Sequence, residues 1–414
     1  MKRSIAVLAL LVTACATAPQ PPANSLASSI DALLDKPPLQ HALWSILIEE
    51  EDGRVLYARN ADRLTMPASN RKLFTAATVA SCLGTDARLV TEVWRDGDNL
   101  VLRGDGDPSL GSWRYERDGD FDRLADTLRA RGITRVADVI ADVSLFDRNT
   151  IPGSWKHGNL GADYAAPVDA LTWGESEIPV DRSVPDPALY AATTLRDVLT
   201  LRGITVTGVA RVNMEPRVWQ ERIATLPSPF VGDLLRTVLK NSHNLYAEML
   251  LKRLSANGAQ PATYENSFAI ERAFLTSEPR VDAESFRFVD GSGLAPDDLL
   301  TCQSTIRVLR WMNDPSRRTF WWNVLAQPAN EGTLRNRLRT LEERMRGKTG
   351  TIAGVNALSG ILAMPDGRYR YFSIMINHHI ADGSDATRVI DAIVQAASET
   401  SARTASATQS PASR

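Results

Sequence analysis

Cysteine, histidine and lysine are scarce in this chain of 414 residues. It has three cysteines and five histidines, and they form neither a Cys-x-x-Cys nor a His-x-x-x-His pattern. The sequence therefore lacks the ligand spacing of a metal site and the cysteine density of a disulfide framework. Lysine occurs only seven times, against forty arginines. A lysine within a short motif is for that reason a stronger signal here than in an average chain.

The chain also lacks a surplus of charge and, beyond its N-terminus, any long apolar run. Its 49 acidic and 47 basic residues leave a net charge of −2 at pH 7. This balance excludes the strongly basic composition of many nucleic-acid-binding proteins, so we expect no nucleic-acid partner. No later stretch is long and apolar enough for a transmembrane helix. The length suits two or three domains.

Residues 1–15 resemble a lipoprotein signal peptide. They begin with basic residues, continue with a short apolar segment and end in Val12-Thr13-Ala14-Cys15, which is similar to a bacterial lipobox. This pattern predicts cleavage before Cys15 and lipidation of its thiol; an ordinary secretory signal is the alternative. By resemblance to Gram-negative lipoproteins, Ala16 indicates the outer membrane. We therefore expect a periplasmic protein that a lipid anchor alone attaches to a membrane.

The rest of the chain divides into blocks of different composition. The predicted segments are a Pro/Ala-rich tether at 16–26, a front block at 27–88, a middle block at 89–218, a back block at 219–400 and a Ser/Ala/Thr-rich disordered tail at 401–414. Front and back blocks together predict one discontinuous domain, and the middle block predicts a smaller inserted α/β domain. The fold class is mixed α/β.

Hydrophobic periodicity and turn residues predict the main elements of these blocks. In the front block they predict a hairpin around Asp52-Gly53 and one helix over 68–83. In the middle block they predict helices over 121–131 and 188–202, each ending in Arg-Gly-Ile,. In the back block they predict helices over 231–240, 244–254 and 385–397, and strands over 357–364 and 369–377.

Ser69-Asn70-Arg71-Lys72 is the only Ser-x-x-Lys tetrapeptide in the chain. Residues three apart on a helix share a face, so the hydroxyl and the amine can meet. The predicted first turn would also bring free N–H groups and the helix dipole to the serine. Burial among the apolar residues that follow would lower the pKa of Lys72 and suit it to act as a general base. A solvent-exposed lysine in a chance tetrapeptide is the alternative.

Lys348-Thr349-Gly350 also occurs once and precedes predicted β-structure. An edge strand with this triplet could pair with an extended peptide, with Lys348 and Thr349 facing a substrate carboxylate. Gly350 would permit close approach of the backbone. The N–H groups of Thr351 and Ser69 would then form an oxyanion hole. An ordinary turn before a strand is the alternative.

Ser-x-Asn occurs twice, as Ser242-His243-Asn244 and Ser255-Ala256-Asn257. The second precedes a glycine at the end of a helix, which is typical of a C-cap. The first stands at the start of a predicted helix. There Ser242 could bridge the two motif lysines and Asn244 could hold a substrate amide. A simple N-cap is the alternative.

Together, and in the chain order Ser-x-x-Lys, Ser-x-Asn and Lys-Thr-Gly, the three motifs resemble the active site of penicillin-binding proteins and serine β-lactamases. The surrounding sequence is similar to one branch, the class C D-alanyl-D-alanine carboxypeptidase/endopeptidases typified by penicillin-binding protein 4. The similar stretches are Met66-Pro-Ala-Ser-Asn-Arg-Lys-Leu-Phe-Thr, Gly104-Asp-Gly-Asp-Pro-Ser-Leu, Asp142-Val-Ser-Leu-Phe, Tyr164-Ala-Ala-Pro-Val-Asp-Ala-Leu-Thr, Asp290-Gly-Ser-Gly-Leu, Glu331-Gly-Thr-Leu-Arg, Lys348-Thr-Gly-Thr and Leu358-Ser-Gly.

This resemblance implies a transpeptidase-like domain, interrupted after the Ser-x-x-Lys helix by an inserted domain. It implies peptidoglycan peptides as substrates and β-lactams as covalent inhibitors, with no metal or organic cofactor. The implied catalytic residues are Ser69, Lys72, Ser242, Asn244 and Lys348, and the implied substrate-binding residues are Thr349, Gly350 and Asn244.

The chain departs from the family pattern in two places. Residues 142–227 are short, which argues against a further domain nested in the insert. Pro296 follows Ala295, where the family often has an arginine near the substrate side chain. Asp142 and Phe146 stand in a stretch that resembles the family's contribution to that side-chain pocket. Strand-end and core roles are the alternative for both.

The predicted chemistry is acyl transfer from the penultimate D-Ala carbonyl to Ser69, followed by hydrolysis of the acyl-enzyme. Carboxypeptidase and endopeptidase activities share this chemistry, and the sequence does not separate them. A β-lactamase, an esterase and a non-catalytic peptidoglycan-binding protein are the alternatives. Pairing of Cys82 with Cys302 is also left open.

Overall fold

The computed structural model describes residues 25–178, 181–258 and 260–399. Its strands are β1 Leu43–Glu50, β2 Val55–Arg59, β3 Arg88–Asp96, β4 Asn99–Arg103, β5 Arg135–Val136, β6 Val139–Asp142, β7 Glu177–Ile178, β8 Arg182–Ser183, β9 Thr205–Val206, β10 Ala210–Asn213, β11 Glu221–Phe230, β12 Phe286–Arg287, β13 Leu299–Leu300, β14 Met345–Ile352, β15 Val355–Ala363 and β16 Tyr369–Asn377. Its α-helices are α1 Leu26–Leu34, α2 Arg71–Leu83, α3 Asp120–Ala130, α4 Pro187–Leu201, α5 Val231–Lys240, α6 Asn244–Arg253, α7 Tyr264–Ser277, α8 Cys302–Met312, α9 Arg318–Val324 and α10 Gly383–Glu399.

The first sheet joins the two ends of the described chain. Its strand order is β14-β15-β16-β1-β2, and all its neighbours are antiparallel. Successive side chains of a strand point to opposite faces. On β16, Ile374 and Ile376 accordingly join the core shared with α1 and α10, whereas Met375 joins the core shared with α2, α5 and α8. Helices therefore cover both faces, and β14 remains as an edge strand.

The second sheet is built from the middle of the chain and has its own core. Its strand order is β10-β6-β4-β3-β11, with α3 and α4 contributing the facing apolar side chains. Strand β11 pairs with β3 from Glu221 to Phe230. The sheet thus extends past residue 218, the predicted end of the middle block. The reason is that β11 alternates weakly and contains two prolines, so its sequence is not typical of a strand.

Most predicted helices agree with the structure. The helices predicted over 121–131 and 188–202 are confirmed as α3 and α4, and each is followed by a glycine with positive φ, Gly132 at 76° and Gly203 at 80°. Such glycines end helices because they adopt the left-handed conformation without strain. The mixed α/β fold class is confirmed.

Several predictions concern the ends of the chain. The signal peptide at 1–15, the lipidation of Cys15 and the tail at 401–414 lie outside the described residues, as do residues 16–24 of the tether. Helix α1 begins at Leu26, within the stretch assigned to the tether. In the described part of the chain, no helix has the length and apolarity needed to span a bilayer. Cys82 and Cys302 are both free thiols and do not pair.

Candidate active site

A cavity of about 590 Å³ opens at the edge strand β14. It is lined by Ser69, Lys156, Asn159, Tyr164, Ser242, Asn244, Gly293, Leu294, Thr351, Ile352, Ala353, Gly354, Asn356, His379, Ala381 and Gly383. The lining includes residues of the Ser-x-x-Lys and Ser-x-Asn motifs, together with Thr351, which follows Lys-Thr-Gly. No aspartate or glutamate belongs to it. The cavity therefore suits an anionic or neutral ligand better than a cationic one.

Ser69 lies in a 3-10 turn, Ala68–Asn70, immediately before α2. The sequence predicted one continuous helix over 68–83, but Ala68 has a φ of 46° and α2 begins only at Arg71. The turn brings the Ser69 Oγ to 2.9 Å from the Nζ of Lys72. The predicted contact between the serine hydroxyl and the amine is present, although the local geometry differs from a helical i, i+3 pair.

Lys72 is fully buried and has three oxygen neighbours. Besides Ser69, its Nζ lies 2.5 Å from the Oδ1 of Asn244 and 2.7 Å from the carbonyl oxygen of Ser292. A neutral amine can donate to the latter two oxygens and direct its lone pair at the Ser69 hydroxyl. This is the arrangement that a general base needs.

Burial lowers the pKa of Lys72 to about 7, from a usual value of 10.5. The negative charges of Asp290, Glu248 and Asp298 oppose this shift. Burial dominates because the charged ammonium loses its hydration inside the protein. The amine is therefore substantially neutral near neutral pH.

Lys348 is buried behind Ser242, and its Nζ donates to the Ser242 Oγ at 2.8 Å and to the Thr349 carbonyl at 2.7 Å. Burial, reinforced by the nearby charge of Lys72, holds the pKa of Lys348 well below its usual value. Ser242 was predicted to bridge the two lysines, but Lys72 is hydrogen-bonded to Asn244 instead. Each lysine thus has a partner of its own in the Ser-x-Asn motif.

The predicted oxyanion-hole role of Thr351 depends on the position of β14 at the edge of the first sheet. Gly347 exchanges both backbone hydrogen bonds with Ala326, on the side away from β15. Backbone groups alternate in direction along an antiparallel strand, so the N–H of Thr351 also points away from β15. An ideal Cβ on Gly350 would lie 3.0 Å from the Ser69 nitrogen, which shows how closely the strand approaches this turn.

Two predicted substrate-binding side chains already have protein partners. Thr349 donates its hydroxyl to the Oγ1 of Thr333 at 2.7 Å. Asn244 uses its Oδ1 for Lys72 and donates from its Nδ2 to the carbonyl of Tyr164 at 2.7 Å. One N–H of the Asn244 amide group remains for a ligand.

Asp142 and Phe146 are not brought to this cavity. Asp142 is buried at the end of β6, where it accepts hydrogen bonds from the Trp219 Nε1 at 2.7 Å and from the Asn213 Nδ2 at 3.2 Å. Phe146 belongs to the core of the second sheet. Neither residue lines the cavity at Ser69. These contacts match the strand-end and core alternatives, and a substrate-binding role for either residue stays a prediction.

The Asp290-Gly-Ser-Gly-Leu stretch carries no catalytic signature, but it forms a turn that contacts Lys72. The carboxylate of Asp290 accepts N–H groups of Ser292, Gly293 and Ala295 at 2.6–3.0 Å, and also the Trp155 Nε1 at 2.9 Å. Burial would raise the pKa of Asp290, but a side-chain hydrogen bond with Asp298, together with the donors from Gly293, Trp155 and Ala295, lowers it below its usual range. The resulting tight turn presents the Ser292 carbonyl to Lys72, a contact that sequence motifs alone did not predict.

Gly293 is the residue of this turn that tolerates substitution least. It has a φ of 78°, and an ideal Cβ would lie 1.9 Å from the carbonyl oxygen of Ala68. We expect Gly293→Ala to destabilise the protein by more than about 2 kcal/mol and to slow reaction at Ser69, because the strained φ and the overlap add.

The control for that prediction is Gly367→Ala. Gly367 has a φ of 83°, but nothing lies within 4 Å of its ideal Cβ. We expect it to cost about 1 kcal/mol, the backbone term alone. Thermal unfolding of both variants checks the comparison; equal losses of stability would contradict it.

Other cavity residues were missed because no short motif contains them. Lys156, Asn159 and Tyr164 belong to the irregular segment between β6 and β7. His379 follows β16, and its Nε2 lies 2.8 Å from the Oδ1 of Asn356. Only the Tyr164 stretch had a signal, its similarity to the family. Cavity walls built from irregular segments have no periodicity to detect.

Comparisons with known proteins identify the family of this chain. The family model described as D-Ala-D-Ala carboxypeptidase 3 (S13) family matches residues 26–181 and 173–400. A D-alanyl-D-alanine carboxypeptidase of Actinomadura sp. (strain R39) is 28% identical, over 89% of this chain and 84% of the relative.

Solved structures show the same fold. Penicillin binding protein 4 (dacB) from Haemophilus influenzae superposes with a TM-score of 0.79 at 19% identity, covering 88% of this chain and 98% of that one. A penicillin G acylated predatory endopeptidase from Bdellovibrio bacteriovorus, in complex with an immunity protein, has a TM-score of 0.58 at 18% identity, covering 85% and 92%. With the family model matching nearly all of the described residues, this chain belongs to the D-Ala-D-Ala carboxypeptidase 3 (S13) family.

Proposed function

We propose that this protein cleaves D-Ala–D-Ala-type bonds of peptidoglycan peptides through an acyl-enzyme on Ser69. The observation that carries the proposal is the 2.9 Å contact between the Ser69 Oγ and the buried amine of Lys72. A binding protein would need no nucleophile beside a base, and burial brings the pKa of this amine into the range that suits a general base,. Membership of the family supports the same chemistry.

In the proposed acylation step, the neutral amine of Lys72 takes the hydroxyl proton of Ser69 as the Oγ attacks the penultimate D-Ala carbonyl carbon. The N–H groups of Ser69 and Thr351 stabilise the developing oxyanion. The carbon–nitrogen bond then breaks as the proton that Lys72 took from Ser69 passes, by way of the Ser242 hydroxyl, to the amine nitrogen, and the terminal D-Ala leaves. Water hydrolyses the ester and regenerates Ser69.

The open edge of β14 supports the proposed binding mode of the peptide. The backbone groups of Thr349 and Thr351 face away from β15, and an extended substrate can pair with them as an added strand. Asn244 offers its remaining N–H to a substrate carbonyl. A cross-bridge amine in place of terminal D-Ala would make the same site an endopeptidase.

The acylation rate is expected to rise with pH up to about 7, the pKa of Lys72. Below that value the neutral fraction of the amine falls about tenfold per pH unit, and only the neutral amine can accept the proton of Ser69. Acylation by a penicillin, followed from about pH 5 to about pH 9, measures this dependence. A rate that does not change across this interval would contradict the assigned base.

The test of the proposed function is to incubate the protein with a fluorescent penicillin and, separately, with a stem peptide ending in D-Ala–D-Ala. We expect a stable covalent band and release of D-Ala. An intact penicillin with no band would favour the esterase or the binding-protein alternative. Rapid destruction of the penicillin without a stable band would favour a β-lactamase.

The proposed location is the periplasm, with a lipid on Cys15 as the only membrane anchor. A substrate in the cell wall requires an enzyme outside the cytoplasm, which is consistent with the lipobox-like Val12-Thr13-Ala14-Cys15,. We also propose a catalytic domain of residues 27–88 and about 231–400, with the segment between as an inserted domain. Recovery of the protein in the soluble periplasmic fraction would contradict the anchor.

A further inference from the structure

The Ser242-His243-Asn244 turn has a strained backbone, and no side-chain cap from His243 ties it to the helix α6 that follows. Ser242 has a φ of 61°, in the left-handed region that residues with a Cβ rarely adopt,. His243 precedes α6 but makes no side-chain hydrogen bond to cap it. Strained backbone at a functional site persists only where surrounding contacts fix it. Contacts from outside the helix must therefore hold Ser242 and Asn244 in place.

The side chain of Glu175 reaches this turn from the segment between β6 and β10. Its Oε2 lies 3.1 Å from the Nε2 of His243, the residue between the two catalytic side chains. Its Oε1 accepts the hydroxyl of Tyr246, one turn further along α6, at 2.9 Å. One carboxylate thus contacts the motif and the first turn of the helix together.

Glu175 is itself held firmly by the middle of the chain. Its Oε1 also accepts the Ser112 hydroxyl at 2.5 Å, and its Oε2 accepts the Arg114 Nε at 3.0 Å. Burial would raise the pKa of Glu175, but the hydrogen bond with His243 and the other donors lower it to about 2. The carboxylate is therefore charged at any working pH and is fixed on both oxygens.

The backbone around Glu175 is strained in the same way as the turn that it contacts. Gly174, Glu175 and Ser176 have φ values of 58°, 61° and 57° in succession. The Gly174 N–H donates to the Leu110 carbonyl at 2.9 Å, and the Ser176 hydroxyl bonds that of Thr172. Contacts on both sides of Glu175 thus hold its left-handed backbone conformation.

From these contacts we propose that Glu175 is a positioning residue, which fixes the Ser242–Asn244 turn through His243 and so sets the two catalytic side chains against their lysines. The inference rests on the proposed function. It makes a segment outside the first sheet part of the catalytic apparatus. Small displacements matter here because Ser242 and Asn244 each contact a lysine at 2.8 Å or less.

A structural alternative for the same residues is a metal site, since Glu175, Glu177 and His243 place possible ligand atoms within 4.8 Å of one another. Both oxygens of Glu175 already accept protein hydrogen bonds, and the guanidinium of Arg114 lies beside one of them. A cation next to that guanidinium would be repelled. The contacts therefore favour a hydrogen-bonding role for Glu175 over a role as a metal ligand.

The test measures the rate of acylation by a fluorescent penicillin and the thermal unfolding of the folded full chain. Glu175→Ala is expected to slow acylation about 10- to 100-fold, the effect of misplacing catalytic groups by about 1 Å. Glu175→Gln is expected to recover most of the rate, because the Ser112 and Tyr246 hydroxyls can reverse and accept from its amide.

The matched control is Glu50→Gln, which removes another buried carboxylate, paired with Arg370 on the first sheet at 2.5 Å. It is expected to lower stability but to leave the acylation rate unchanged. A folded Glu175→Ala protein with the wild-type rate would overturn the proposal. So would an equal loss of rate in Glu50→Gln.

A double-mutant cycle keeps the proposal testable if Glu175→Ala folds poorly. His243→Ala removes the link from the other side and leaves Glu175 with its Ser112, Arg114 and Tyr246 partners. If Glu175 acts through His243, the double variant should be acylated little more slowly than either single variant. If the two losses of acylation rate multiply instead, the residues act independently and the proposal is overturned. If the wild-type protein is not acylated at all, the proposed function fails and no role can be assigned to Glu175.

Discussion

Ser69→Ala is expected to abolish covalent labelling by penicillin and the release of D-Ala from a stem peptide. The hydroxyl is the atom that forms the new ester bond, and no other hydroxyl in the described chain is hydrogen-bonded to Lys72. The loss should therefore be complete within detection. The residual rate that survives in some nucleophile variants is far below the rate of the intact enzyme.

The matched control for this variant is Ser255→Ala, in the second Ser-x-Asn sequence. Ser255 is buried at the end of α6 and donates to the Thr263 carbonyl at 3.1 Å. Its removal should cost about 1 kcal/mol of stability and leave labelling intact. Labelling that persists in Ser69→Ala would show that another residue is the nucleophile.

Lys72→Met is expected to lower the acylation rate by about 10² to 10⁴-fold, the usual contribution of a general base. Methionine preserves most of the buried volume, so the fold should be retained. The Ser69 hydroxyl would then have no acceptor for its proton. In the same variant, the rise of the rate with pH up to about 7 should disappear.

Lys252→Met is the control for this second variant. Lys252 is equally buried, and burial lowers its pKa as it does that of Lys72. It donates to the Asn149 carbonyl at 2.8 Å and does not line the cavity. We expect it to alter stability without changing the acylation rate. Equal losses of rate in the two variants would contradict a specific role for Lys72.

Sequence patterns predicted the helices well because amphipathic periodicity reflects burial on one face. The helix predicted over 231–240 is α5, Val231–Lys240, and its apolar residues join the core beneath the first sheet. The edge position of Lys-Thr-Gly was also predicted and is confirmed by the strand order. The contact between Ser69 and Lys72 was predicted from their spacing, although Ser69 lies in a 3-10 turn before α2 and not in its first turn.

The remainder of the site depends on contacts between distant segments. The 3-10 turn Ala68–Asn70 lies close against β14 and Gly293. An ideal Cβ on Gly350 would lie 3.0 Å from the Ser69 nitrogen, and one on Gly293 would lie 1.9 Å from the Ala68 carbonyl oxygen. The sequence of residues 68–83 carries no information about these contacts. Likewise, the partners of Lys72 at Asn244 and Ser292 lie 172 and 220 residues away in the chain. Periodicity and local motifs carry no information about such pairings.

Asp142 and Phe146 illustrate a different limit, because a family-like stretch suggested a role at the substrate side chain, whereas neither residue lines the cavity at Ser69. Within this stretch, Asp142 ends the strand β6 and accepts a hydrogen bond from the Trp219 indole. A requirement of the fold can preserve such residues as strongly as a requirement of the substrate. Similarity of a stretch therefore indicates a shared fold more reliably than a shared contact.

The central claim is that Ser69 becomes acylated, and peptide mapping of the penicillin adduct tests it most directly. Trypsin cuts after Arg63 and Arg71, so the nucleophile lies in the peptide 64–71, whose only serine is Ser69. We predict that mass spectrometry finds the penicilloyl group on this peptide, with fragmentation placing it on Ser69. An adduct on another peptide, or none on a protein that consumes the penicillin, would contradict the account.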